Sequence, residues 1–191
     1  YNAGSEGTRR VNGLPLPSVG IVEGLEAARA TPHFNAPLEG PNRGRGMAAG
    51  FWGNGAGPAS ALVSVLPDGR VSLVEGSPDI GGTRVVAAMH VAEVLGIPVE
   101  EVRPSVADTD SIGFTSLTGG SSVAFKTGWA AYEAAQDVRR QLSQRAALIW
   151  DLPADAVSYQ DGELSNARDD RRLTVHQLAA KLNETGGPIL G

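Results

Sequence analysis

The sequence predicts an α+β fold, a mixed β-sheet with helices packed on it. Three observations carry this. Short apolar runs follow one another across tight Pro/Gly turns, as strands of hairpins do. Two longer segments, 83–95 and 127–150, hold apolar residues at helical spacing. The two kinds interleave in the order β-β-β-α-β-α-β-β-α, which mixes hairpins with crossovers.

The first helix is predicted over Val19–Ala30, capped by Ser18 behind Pro17, with Ile21, Leu25 and Ala28 as its apolar stripe. Thr31 to Gly46 then carries three prolines and little periodicity. It reads as a long connector of the kind that is functional or lies against a partner. The expected organisation is therefore a helix and connector over 1–46 and an α+β domain over 47–191. Met47–Gly53 and Ala59–Leu66 read as strands, and the turn Pro67-Asp68-Gly69 leads into Arg70–Glu75. In that third strand Val71 and Leu73 share one face, Ser72 and Val74 the other. A helix over Thr83–Leu95 stops at Gly96 with Pro98 beyond, and Val85, Met89 and Ala92 line one of its sides. Val99–Ala107 reads as a strand whose Pro104 calls for an edge position or a bulge. A long helix is expected from Thr127 to Trp150. A hairpin follows, Val157–Gln160 and Glu163–Ser165 about Asp161-Gly162, and Thr174 caps a last helix over Val175–Asn183.

Composition narrows the function classes. The 191 residues are 41% hydrophobic with 25 glycines and 12 prolines, a globular and turn-rich balance. A net charge of −5 without a basic run makes nucleic acid and anionic membranes poor partners. No apolar stretch approaches the roughly 20 residues that cross a bilayer. With no cysteine, the chain has no disulfide, no thiol nucleophile and no thiolate for an iron–sulfur cluster. That leaves the redox compartment open; a cytoplasmic location is expected, with a periplasmic one not excluded. The first residue is Tyr1 rather than Met, and the chain closes on Gly-Gly-Pro-Ile-Leu-Gly; both read as a piece of something longer or processed.

Two glycine-rich loops stand out, Gly76 to Thr83 (Gly-Ser-Pro-Asp-Ile-Gly-Gly-Thr) and Thr115 to Ser122 (Thr-Ser-Leu-Thr-Gly-Gly-Ser-Ser). Each precedes a helical segment, so bare backbone and the positive end of a helix dipole would meet an anion from two sides. The first loop nearly spells a P-loop, but Gly82 stands where lysine must reach the terminal phosphates. A tight strand-to-helix turn capped by Thr83 explains its spacing equally well. Gly53 to Gly57 fails as a dinucleotide fingerprint, since Pro58 occupies the last glycine and a strand follows. Asp108 and Asp110 read as a loop start with Asx-turn bonds rather than a hard-metal site. His33, His90 and His176 are scattered and read as surface or satisfied core residues, and no G-x-S-x-G surrounds Ser121 and Ser122. Phe51, Trp52, Phe114, Phe125, Trp129, Tyr132 and Trp150 are expected mainly in the core. Phe114 and Phe125 flank the second loop, so one of them is a candidate pocket wall.

Taken together, the run from Asp68 to Arg84, then Ala92 to Pro98 (Ala-Glu-Val-Leu-Gly-Ile-Pro), Asp108-Thr109-Asp110 and Thr118-Gly119-Gly120-Ser121 resemble the molybdopterin-binding large subunit of xanthine dehydrogenase and aldehyde oxidase-type enzymes. Carbon monoxide dehydrogenase and several aromatic-ring hydroxylases are relatives. The resemblance is strong over roughly 44–142. It implies one lobe of a larger subunit that clamps a pyranopterin molybdenum cofactor (molybdopterin), in bacteria often the cytosine dinucleotide. By this resemblance Ile80, Gly81, Gly82 and Thr83 would approach the cofactor near the molybdenum end. Thr118, Gly119, Gly120, Ser121 and Ser122 would give N–H bonds to cofactor or substrate.

It also implies that the rest of the large subunit, an iron–sulfur subunit and a flavin (FAD) subunit are partners. The substrate would be an aldehyde, a purine or another heteroaromatic small molecule. Many members carry glutamine between two glycines, at the place held here by Gly81. No residue here matches the motif of the family's catalytic glutamate, so the chain is expected to be silent alone. A nucleotide-binding module with a degenerate P-loop and a non-enzymatic interaction domain are the rival readings.

Overall fold

Around Pro67-Asp68-Gly69 the chain must reverse tightly, and Gly69 does so at φ +84°. The flanking apolar alternation becomes β1 (Ala61–Val65) and β2 (Val71–Glu75), an antiparallel pair in which Val63 faces Leu73. The protein is seen here as a computed structural model describing residues 4–10, 12–50, 53–166 and 168–191. The chain divides into two compact units, Tyr1–Phe51 and Trp52–Gly191.

The first unit holds α1 (Ile21–Arg29) and α2 (Pro32–Asn35). The predicted first helix is thus shorter than Val19–Ala30. Its N-cap is Gly20 rather than Ser18, and no side chain caps it. Ile21, Leu25 and Ala28 are half-buried, and none of the helix is fully buried. The connector hides one helical turn: the Thr31 hydroxyl accepts from Phe34 N–H at 3.2 Å, with Pro32 preset at the first helical position.

In the second unit the alternation of β2 buries Val71, Leu73 and Glu75 and leaves Ser72 and Val74 half-exposed. α3 (Thr83–Leu95) then crosses over to β3 (Val102–Val106), which pairs parallel with β2. Pro104 sits at the sheet's edge, as its missing N–H requires. A 3-10 turn over Val99–Glu101 takes the start of the predicted strand. The long helix α4 (Val123–Trp150) begins one turn before Thr127, because Gly120 (φ +64°) and Ser121 (φ +54°) reverse the chain just ahead of it.

β4 (Val157–Gln160) and β5 (Glu163–Asn166) form the expected hairpin, with both turn residues Asp161 and Gly162 at positive φ. β6 (Arg172–Thr174), absent from the sequence reading, completes that small sheet in the order β4-β5-β6. α5 (Val175–Ala179) carries a capping box between Thr174 and Gln177. It gives way to a 3-10 turn at Leu182–Glu184 instead of running on to Asn183. β7 (Ile189–Leu190) closes the main sheet, ordered β3-β2-β1-β7, on the far side of β1.

One face of that sheet meets α3 and α4 in a core of Val63, Leu73, Val91, Leu95, Val138 and Leu142. Each such side chain contributes about 1.5–3 kcal/mol by leaving water. Of the side shared by Val85, Met89 and Ala92 only Ala92 is buried; Val85 and Met89 are 53% and 54% exposed, because the helix turns Ala87, Ala88, Val91, Ala92, Val94 and Leu95 inward. Small residues let α4 approach closely, so residue size marks the wrong face. The predicted strand over Met47–Gly53 forms no ladder in 47–50 or at Gly53, and Phe51 and Trp52 lie outside the described residues.

Candidate functional site

The first glycine loop leaves the end of β2 and is filled by its own side chain. Asp79 Oδ1 accepts from the N–H groups of Gly81 (3.0 Å), Gly82 (2.8 Å) and Thr83 (3.0 Å). Its Oδ2 takes Arg84 Nε at 3.1 Å. That guanidinium, helped by the three N–H groups and opposed by partial burial, holds the Asp79 carboxyl at about 2. Gly81 (φ +111°) and Gly82 (φ +89°) take backbone angles that side chains resist, and nothing lies within 4 Å of where their Cβ atoms would be. Ile80 projects outward, 61% exposed. The start of α3 therefore carries an internal anion, and the loop offers an uncluttered backbone surface rather than vacant donors.

The second loop is built the opposite way. Its carbonyls are held from within: Lys126 Nζ donates to Ser116 O (2.6 Å) and Leu117 O (2.8 Å) and to Ser116 Oγ (2.8 Å). Ser122 Oγ donates to Gly119 O at 2.7 Å, and Gly55 N donates to Gly120 O at 2.8 Å. In a trans peptide the C=O and the next N–H point in opposite directions. Holding these four carbonyls therefore turns the N–H groups of Leu117, Thr118, Gly120 and Ser121 the other way. None of the four has an acceptor among the described residues. Thr118, Gly119 and Gly120 are half-buried, Ser121 is exposed and Ser122 is buried. Ser121 keeps φ +54° without being glycine, a strained conformation of the sort that gathers at binding sites.

The two loops share supports. Ser77 and Thr127, both buried, join hydroxyls at 2.8 Å, and Ser77 N donates to Glu75 Oε2 at 2.7 Å. Burial pushes the Glu75 carboxyl up, while the Ser77 N–H and the Arg84 charge pull it back. The strip 55–60 runs beside the second loop through Ser116 N to Pro58 O (2.9 Å) and Ser60 N to Thr115 Oγ1 (3.0 Å). A Cβ on Gly120 would stand 2.9 Å from Gly55 N, so this approach needs glycine.

Phe114, Phe125 and Trp129 are 76%, 65% and 57% exposed, contrary to the core assignment. α4 turns Thr127, Ala131, Ala135 and Val138 inward, which puts Phe125 and Trp129 on another face. Both of these line an open groove of about 810 Å³ with Pro58, Ala59 and Lys126, so Phe125 is a pocket wall. Tyr132 is half-buried and stacks on Trp129 at 5.2 Å, and Trp150 is in the core.

The remaining candidates resolve structurally. Asp110 N and Asp108 Oδ1 make the Asx turn at 3.0 Å. His90 Nδ1 bonds Val86 O at 2.7 Å, and His176 bridges Asp68 O (3.0 Å) and Glu101 Oε2 (2.8 Å). The exposed His33 sits in the last turn of α2. Among the described residues no three His, Asp or Glu side chains gather to hold a metal, and no helix is long and apolar enough to cross a membrane. The sequence reading missed Asp79 and Lys126 as the groups that shape the loops. An Asp two residues before Gly-Gly was the available signal for the first, whereas a lone lysine in an apolar turn gave none.

Comparison with known proteins decides the family. The sequence profile of the molybdopterin cofactor-binding domain matches residues 23–189. The chain belongs to this family. Among curated relatives it is 29% identical to the aldehyde oxidoreductase molybdenum-binding subunit PaoC of Escherichia coli K12 over 138 residues, 72% of this chain and 18% of that subunit. It is 33% identical to a xanthine dehydrogenase of Emericella nidulans over 85 residues, 44% of this chain and 6% of that enzyme. The chain thus spans less than a fifth of the length of either relative. The fold is similar to that of a segment of CO dehydrogenase from Oligotropha carboxidovorans, with a TM-score of 0.63 at 21% identity over 70% of this chain and 18% of that one. This molybdopterin-binding family is the one that the two glycine loops resemble in sequence, and the α+β architecture agrees with it.

Proposed function

We propose that this chain holds the pyranopterin of a molybdenum cofactor on its second glycine loop, as part of a molybdenum hydroxylase. The observation that carries the reading is the set of outward N–H groups at Leu117, Thr118, Gly120 and Ser121, fixed by carbonyls bonded from behind. Such a run of unpaired donors within five residues suits the phosphate and the electron-rich edge of a pterin. Thr118, Gly119, Gly120, Ser121 and Ser122 would hold the group, and Ile80, Gly81, Gly82 and Thr83 would flank it. Because Asp79 already occupies the N–H groups of Gly81, Gly82 and Thr83, that first loop serves by shape, admitting the ligand close to bare backbone. When bound, the cofactor supplies the two-electron oxidation of a substrate C–H bond with oxygen taken from water. The chain's own residues bind, orient and exclude water.

The aldehyde oxidoreductase and xanthine dehydrogenase relatives support an aldehyde or heteroaromatic substrate; the cytosine dinucleotide form of the cofactor is part of the same proposal. The relative named as a molybdenum-binding subunit supports a multi-subunit assembly, and the proposed partners are the remainder of a large subunit with iron–sulfur and flavin (FAD) subunits. The chain by itself is inactive on this reading.

Molybdenum and pterin analysis of the natural full-length protein, purified from its own cells, tests this. About one of each per chain is expected. Absence of both would overturn the proposal in favour of an interaction domain, and tight ATP binding by calorimetry would favour the nucleotide-binding module.

A further inference from the structure

Of the groups that hold the second loop from behind, only Lys126 carries a charge. Its side chain is 5% exposed, and its three partners, Ser116 O, Ser116 Oγ and Leu117 O, are all neutral oxygens at 2.6–2.8 Å. An ammonium has three donors, so all are used and none reaches the ligand side of the loop. A buried cation resting on neutral dipoles is poorly compensated for the water it has lost. The two peptide groups it grips, 116–117 and 117–118, point their carbonyls at the ammonium and their N–H ends outward. Each peptide thereby conveys the field of the cation to its far side, since hydrogen-bonded peptide groups polarise in series.

We infer that Lys126 is a positioning residue for the cofactor: it sets and polarises the Leu117 and Thr118 N–H groups so that they receive an anionic group, without touching it. This rests on the reading of the second loop given above. Anion binding in turn relieves the buried charge, so lysine and ligand favour each other through the loop. Lys126 reaches the carbonyl side of the loop from the first turn of α4, the same side as the groove that it lines with Phe125 and Trp129, and the Leu117 and Thr118 N–H groups point away from it.

The test uses the natural full-length protein and two readouts, pterin retained per chain and hydrogen–deuterium exchange of the peptide covering 113–122. In the wild type, exchange of that peptide should slow when cofactor is present. Lys126→Met, which keeps the buried stem, should lose pterin about tenfold faster on dialysis, as removal of a charge-assisted contact implies. Its loop should exchange at the cofactor-free rate. Lys126→Arg, which keeps charge and donors, should restore most of the retention, an outcome that packing alone would not give. If Lys126→Met does not fold, Lys126→Gln serves instead, with a loss in the same direction expected. Wild-type retention and exchange in the neutral variant would overturn the role of Lys126 while leaving the cofactor site standing. A wild-type protein free of pterin in every preparation would overturn both.

Discussion

At the scale of single residues, Asp79 is the side chain that most changes how the first loop is understood. Its Oδ1 binds three successive N–H groups and its Oδ2 binds Arg84, so the carboxylate plays the part that a phosphate plays in a P-loop. The acid dependence follows from the sign of its shift. The folded value lies below the unfolded one, so the stabilisation is complete above 3.8 and is lost as pH falls toward about 2. Melting temperature measured across that interval should fall more steeply for the wild type than for Asp79→Ala. Parallel curves would show that the carboxylate does not hold the loop. The glycines and the threonine were legible in the sequence because they are spaced like an anion loop. That the anion would come from the chain itself was not, since Asp79 is equally at home as a solvent-exposed loop residue. Lys126 was invisible for a related reason: two of its three partners are carbonyls, and a carbonyl leaves no mark in a sequence.

At the scale of elements, the packing of α3 on α4 sets the distance between the helices that follow the two loops. Ala87, Ala88 and Ala92 from one helix and Ala131 and Ala135 from the other are buried in the common core. Where Gly128 passes His90, a Cβ would come within 2.8 Å of the ring. Side chains this small leave no room for a larger one, so Ala135→Leu should destabilise the domain by about 1–3 kcal/mol through overpacking. A denaturant midpoint equal to that of the wild type would contradict the close fit. The position, type and order of α3, α4 and the β4–β5 hairpin were readable from periodicity and turn residues. The facing of α3 was not: Val85, Met89 and Ala92 line one side of it, yet only Ala92 is buried, because a helix pressed against another spends its alanines on the contact. The start of α4 at Val123 was hidden too, because positive φ at Ser121 is a tertiary outcome that a serine does not announce. Strands of two or three residues, β6 and β7, are too short for alternation to register at all.

At the scale of the whole molecule, the second unit is completed by residues brought back from far along the chain. Ile189 is fully buried, paired with Val65, and Gly191 exchanges both backbone hydrogen bonds with Val63 at 2.9 Å. This returning strand covers the open side of β1. It also lies along α4, where a Cβ on Gly191 would meet Ala134 O at 2.2 Å. β1 is followed in the chain by β2, α3, β3 and α4, so the sheet takes its fourth strand from chain that lies beyond the helices covering it. Contacts of such sequence separation cost loop entropy before they return any stability. A single buried side chain at this closure should therefore matter as much as one in the middle of α4. Ile189→Ala removes three buried carbons from a site walled by β1 and α4, where collapse around the cavity is restricted by strand pairing. We expect a loss of about 2–5 kcal/mol, read as a lower denaturant midpoint with an unchanged slope. The unchanged slope is the informative part. If the slope also dropped, the variant would have released β7 while the rest of the sheet stayed folded, and the four strands would not be one cooperative unit.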